Sequence, residues 1–168
     1  MSAVPLAEIS AYNLSLFLHI TAVVVGFGST FAEALMFPVA TKLSPRHLPY
    51  VHRLQLAINQ YFASPALVLI IVTGIYQVIE GNYSFGDPWI SATFVIAIVL
   101  GGLNGGYFVP EDRKLGPMVE RDLAAAGDGE VTLSAEYQAR AKREGMVGAF
   151  TGILIVVAIF LMVVKPGL

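Results

Sequence analysis

Two ionisable side chains, His19 and Glu33, lie inside one long apolar run of this sequence. Charge in a hydrocarbon environment is costly, so such residues mark functional positions unless a neighbour satisfies them. A neutral imidazole ligates a metal ion or haem iron through its unprotonated ring nitrogen. His19 is therefore a candidate metal ligand and a candidate axial ligand of haem b; a histidine bonded to Thr73 or Gln77 of a neighbouring helix is the structural alternative. Haem iron takes one or two axial ligands, and Met162 is expected within about one helical turn of the depth of His19. A His19–Met162 pair can then hold the iron, as can a His19–His19 pair across a dimer. Glu33 is a candidate proton or ion relay, or a hydrogen-bonded lock, with His52, Arg53, Asn59, Gln60 and Asn104 as partners of similar depth. Helical geometry separates His19 from Glu33 by about 21 Å along the axis, so they form two sites rather than one.

Other chemistries are poorly served. There are no cysteines, which excludes thiolate metal sites, disulfides and cysteine catalysis. No nucleophile–base constellation, phosphate-binding loop or metalloprotease motif occurs, and no catalytic residue is assigned. A net charge of -2 gives no footing for nucleic acid. His47, flanked by Pro45 and Pro49, reads as solvated, and His52 opens a helix from which it can pair with Glu33.

The elements that must position these residues are set by hydropathy. The 168-residue chain is 56% hydrophobic and only 13% charged, against roughly a quarter charged in soluble domains. Crossing a bilayer takes about 20 mostly apolar residues. Four segments qualify, at about residues 13–40, 55–79, 89–108 and 146–164, which predicts a single all-α domain: a polytopic membrane protein built as an antiparallel four-transmembrane-helix bundle. The first segment has no Lys or Arg before it and reads as a retained helix rather than a signal peptide. Residues 2–12 can form a short interfacial helix. Nine of the ten basic residues fall in the loops after the first and third spans, and the loop between the second and third has none. Basic loops stay in the cytoplasm. The expected arrangement is thus multi-pass in a bacterial inner (plasma) membrane, with both termini outside and a cytoplasmic loop over 109–145. Within that loop Pro117 can start a helix that Gly127 ends, and Ser134 can cap a run from Ala135 that continues into the fourth span. Tyr76, Tyr83, Phe85 and Trp89 form an aromatic belt at the outer interface.

Small and polar residues mark the faces that meet other helices. The first span carries the stripe His19, Ala22, Gly26, Ser29, Glu33, and the second carries Asn59, Ala63, Ala66, Thr73, Gln77. Ser64-Pro65 is expected to kink the second span, with the freed backbone groups satisfied locally. Gly101, Gly102, Gly105 and Gly106 in the third span and Gly145, Gly148 and Gly152 at the fourth suggest close contact between those two helices, or a homodimer interface.

With Phe17-Leu18-His19-Ile20, the run Gly26-Phe27-Gly28, Pro65 followed by Thr73-Gly74, and the terminal Met162-Val163-Val164-Lys165-Pro166, the chain resembles an uncharacterised bacterial family of four-helix predicted integral membrane proteins. That family is distantly similar to the CopD copper-resistance proteins and the HemJ-type protoporphyrinogen oxidases. In the HemJ-type proteins a first-helix histidine ligates haem, and the resemblance places that role on His19. Those proteins also use a lysine in a later helix; the third span here has none, and the His and Met ligands expected of CopD-type copper handling are fewer. The leading functional expectation is a b-type haem-binding or redox-associated membrane protein, with His19 and Met162 as ligands. An ion or metal transporter lined by the His19–Glu33 face is the second, and an accessory subunit of a larger membrane complex the third. The lipid bilayer is the one partner every reading shares.

Overall fold

The computed structural model describes residues 10–167, and these are all helix, turn and loop without a strand. Of the segment expected to form an interfacial helix, residues 2–12, the part over 2–9 lies outside them, and Ala11 and Tyr12 belong to the first long helix. Helix α1 spans Ala11–Leu43; the Ser10 hydroxyl accepts from the Asn13 N–H at 3.1 Å and so caps its start. A short turn over Pro45–His47 leads into α2, Leu48–Ile58. A π-helical turn, Asn59–Ala63, joins α2 to α3, Ser64–Glu80, as one rod. After a turn with Asn82 at φ 54°, α4 runs Pro88–Leu103 and passes through a second π-turn, Asn104–Phe108, into α5, Val109–Ala126. Gly127, at φ 54°, stops α5, and α6 spans Ala135–Val164 from a Ser134 N-cap.

Four rods therefore result, each long and apolar enough to cross a membrane: Ala11–Leu43, Pro45–Glu80, Pro88–Ala126 and Ala135–Val164. Antiparallel packing follows from the short connections, α1 lying on α3 and α4 on α6. Both described ends lie with the loop after α3: Gln77 reaches the Ser15 carbonyl, and Lys165 Nζ donates to the Tyr83 hydroxyl at 2.9 Å. The same lysine sits over the Tyr83 and Trp89 rings, 4.8 and 5.3 Å from their centroids, closing the aromatic belt.

The third rod differs from the sequence reading. Pro110 was expected to follow its end near Phe108, and Pro117 to start a new helix; the helix instead continues to Ala126 with both prolines inside. Proline lacks an N–H and crowds the carbonyl four residues before it. The π-turn opens the backbone ladder just ahead of Pro110, and the first π-turn does the same ahead of Pro65. Each proline stands two residues past its π-turn. As a result α2, α5 and the start of α6 continue beyond the apolar spans and pack on one another as a second, more polar layer.

Three core clusters stack along the bundle. Val78, Trp89 and Ile90 fill the end that holds the termini. Ala22, Phe27, Ala66, Leu67, Ile70, Leu100 and Ile155 fill the middle. Leu48, Val51, Leu115, Val119 and Tyr137 fill the second layer with Ala40. Outside the middle cluster, Val24, Leu35, Val68, Ile98 and Ile153 are more than 60% exposed, an apolar girdle suited to lipid.

Small residues set the α1–α3 approach: a Cβ at Gly26 would stand 2.5 Å from the Ala66 Cβ. The glycines of α4 and α6 do not play this part. A Cβ at Gly101, Gly102, Gly105, Gly106, Gly145 or Gly148 meets nothing within 4 Å, so the expected glycine-to-glycine contact between these helices is absent and that face is open. Gly26→Val should accordingly lower stability by about 1–3 kcal/mol through overpacking, read as a drop in detergent melting temperature. Gly148→Ala, a change into open space, should cost nothing. Equal melting of the two variants would contradict this packing.

The connection 127–134 is tied down at two points. Arg46 donates to the carbonyls of Gly127 and Gly129 at 2.7 and 2.8 Å, and the Ser134 N–H donates to Asp122 Oδ2 at 2.8 Å. That N–H, with Arg121 alongside, holds the Asp122 carboxyl below its ordinary value. A depressed carboxyl stabilises in full above the unfolded pKa of about 3.9 and loses that contribution as pH falls through the lower folded value. The Ser134 amide proton shift should therefore titrate below about 3.9 in detergent NMR; a midpoint at or above that value would rule out the bond.

Candidate functional site

His19 lies half-buried on α1 against α3. Its Nδ1 is 2.8 Å from Thr73 Oγ1, and that hydroxyl donates its own hydrogen to the Leu69 carbonyl at 2.5 Å. With the hydroxyl hydrogen committed, Thr73 can only accept from the ring. Nδ1 thus carries the proton and Nε2 keeps its lone pair. No side chain among the described residues bonds Nε2. His19 lines a cavity of about 490 Å³ walled mainly by apolar groups, and Met162 of α6 lines the same cavity. Gly74, next to Thr73, keeps the wall thin: its added Cβ would touch His19 Cε1 at 3.6 Å. Of the two partners the sequence offered for a structural histidine, Thr73 holds His19, while Gln77 turns to the Ser15 carbonyl.

Glu33 belongs elsewhere. It lines a second cavity of about 750 Å³ with Gln55, Asn59, Asn104 and Glu144. Phe27 and Leu100 of the middle core line both cavities and stand between them. His19 and Glu33 therefore do not share a lining, as their axial separation required. Glu33 Oε1 is buried without a hydrogen-bond partner, so none of the five partners expected for it is bonded to this oxygen. Arg53 pairs instead with Glu120 at 2.6 Å on the surface, and His52 Nε2 lies 2.8 Å from the Tyr137 hydroxyl. His47 is exposed, as its prolines suggested.

Beside Glu33 the fold assembles residues that the sequence did not single out together. One ligand atom each from His52, Asp112 and Glu144 lie within 4.8 Å of one another. They come from α2, α5 and α6, which meet only because the rods extend past the apolar spans. Asn59 Nδ2 donates to Asp112 Oδ2 at 2.9 Å. The two π-turns are knotted here: Ser64 Oγ donates to the Asn59 carbonyl at 2.8 Å, and Asn104 Nδ2 donates to Ser64 Oγ at 2.8 Å. Glu111 next in sequence is neutralised by Arg140 at 2.7 Å, but no ion pair among the described residues involves Glu33, Asp112 or Glu144.

A family model described as "Predicted integral membrane protein (DUF2269)" matches residues 13–166 of the chain. No curated protein and no solved structure matches it.

Proposed function

The chain belongs to that family of predicted integral membrane proteins, and on this premise we propose that it is a b-type haem-binding, redox-associated membrane protein with His19 as an axial ligand. One observation carries the reading: Thr73, whose hydroxyl hydrogen goes to the Leu69 carbonyl, accepts from His19 Nδ1, Nε2 is bonded to no side chain among the described residues, and His19 and Met162 line one mainly apolar cavity. Metal-binding histidines are oriented through the opposite ring nitrogen in this way. A volume of about 490 Å³ falls within the usual range for small-molecule and cofactor pockets. Haem bound there would supply one-electron transfer. The chain's own contribution is His19 Nε2 as nitrogen ligand, Met162 Sδ as the weaker ligand from α6, Thr73 as the group that fixes the imidazole, and the apolar wall that excludes water.

The same reading places the basic second layer in the cytoplasm and both ends outside, in a bacterial plasma membrane, because nine of ten basic residues lie toward that layer. The test is the visible spectrum of the full chain purified from haem-replete cells. A Soret band with about one haem per chain is expected; colourless protein overturns the proposal.

A further inference from the structure

We propose that His52, Asp112 and Glu144 form a divalent transition-metal site in the second layer, with Glu33 as its neighbour on the cavity side. This site is separate from the His19 cavity and does not depend on what that cavity binds.

Three observations carry it. The first is geometric. Ligand atoms about 2.1 Å from one ion stand about 3–4 Å apart. The three side chains already present atoms within 4.8 Å of one another, so only a small closure is needed. The second is unmet hydrogen bonding. His52 is 1% exposed and Asp112 is 2% exposed, yet His52 Nδ1 and Asp112 Oδ1 have no partner, nor does Glu33 Oε1 beside them. A buried polar atom without a partner costs about 1–3 kcal/mol, and more if charged. Without an ion, Asp112 and Glu144 stand close enough to share a proton and Gln55 lies beside His52; a bound cation would meet the His52, Asp112 and Glu144 atoms together. The third is the outer ring of support. His52 Nε2–H can donate to the Tyr137 hydroxyl at 2.8 Å, which leaves the Nδ1 lone pair for a metal. Asp112 uses Oδ2 to accept from Asn59, which leaves Oδ1. Each inner ligand is thus held through its other atom, the arrangement by which proteins orient metal ligands.

Charge and access agree. Arg140 and Lys114 are drawn to Glu111 and Arg53 to Glu120, and no salt bridge among the described residues involves the inner carboxylates. Glu144 and Glu33 both face the 750 Å³ cavity, which gives an ion a way in. One imidazole nitrogen with carboxylate oxygens and no sulfur suits Zn²⁺, Mn²⁺ or Fe²⁺, and not Cu⁺. Two π-turns at the same depth, each beginning with an asparagine tied into the cluster, fit a site whose backbone has been bent to place its ligands.

The experiment titrates the full detergent-solubilised chain, stripped with a chelator, with Mn²⁺ followed by EPR and with Zn²⁺ followed by calorimetry. One ion per chain is expected. Glu144→Gln, at a half-buried position, should weaken binding by more than about tenfold, and Asp112→Asn should do the same where it folds. Full-affinity binding in Glu144→Gln would mark surface uptake, for example at His47, and would overturn the site. No uptake by the wild-type chain would overturn it as well. Both readouts follow the added ion, so they stand whether or not the protein carries haem.

Discussion

His19→Ala, purified in parallel with the wild-type chain from haem-replete cells, is expected to lose the Soret band completely. The effect should be large because no other histidine is among the residues that line this cavity. The other two histidines, His47 and His52, lie in the second layer, on the far side of the middle core. Two further variants separate a ligand from a side chain that merely packs. Thr73→Val keeps the volume but removes the acceptor that holds Nδ1–H, so the imidazole can turn or change tautomer. Loss of such a supporting bond typically weakens metal affinity about 10–100-fold, here a haem that washes out more readily. Met162→Leu should keep the haem but change its spin state and lower its potential, because thioether ligation raises it. A Soret band unchanged in His19→Ala would remove the histidine from the reading. A spectrum unchanged in Met162→Leu would remove the methionine alone.

Much of this architecture is legible before any coordinates. Long apolar runs fix the spans, and the stripes of small residues on the first two do face a neighbouring helix, which proves to be each other, with Gly26 against Ala66. His19 stands out because an imidazole is conspicuous among aliphatic neighbours. The cluster around Glu33 is harder to read for the opposite reason. His52, Asp112 and Glu144 sit in charged stretches, where a carboxylate is unremarkable and the simplest reading is solvent. They become an inner layer only because two π-turns carry the rods through Pro65 and Pro110. A faint signal was available. Asp112, Leu115, Gly116 and Val119 recur at offsets of three, four and seven, one face of a helix, and all four are buried. Reading Pro110 as a stop hid that period. The glycines of α4 and α6 illustrate a second limit: spacing shows that a face is flat, but not what lies against it.

The π-turns then become the most exposed part of the design to mutation, and Asn59 is their pivot. Its side chain donates to the buried Asp112 carboxylate, while its carbonyl accepts from Ser64, and from Asn104 at 3.4 Å. Asn59→Leu removes the hydrogen-bond donor that Asp112 Oδ2 has among the described residues and should cost about 3 kcal/mol or more, since the group left unpaired is an acid 2% exposed. Asn104→Leu strips a donor from Ser64 but leaves the Ser64–Asn59 bond in place, so about 1–3 kcal/mol is expected. Asn59→Leu keeps the backbone carbonyl that Ser64 and Asn104 bond, but frees the turn that carries it, so the two effects should not add. The double variant should fall short of the sum by about 0.5 kcal/mol or more, as groups in one network do. Denaturation in mixed micelles, followed by circular dichroism, measures all three. Strict additivity would mean that the two π-turns are independent bends that happen to lie at one depth. Coupling would mean that the bundle bends at these turns in order to bring α2, α5 and α6 together around Glu33.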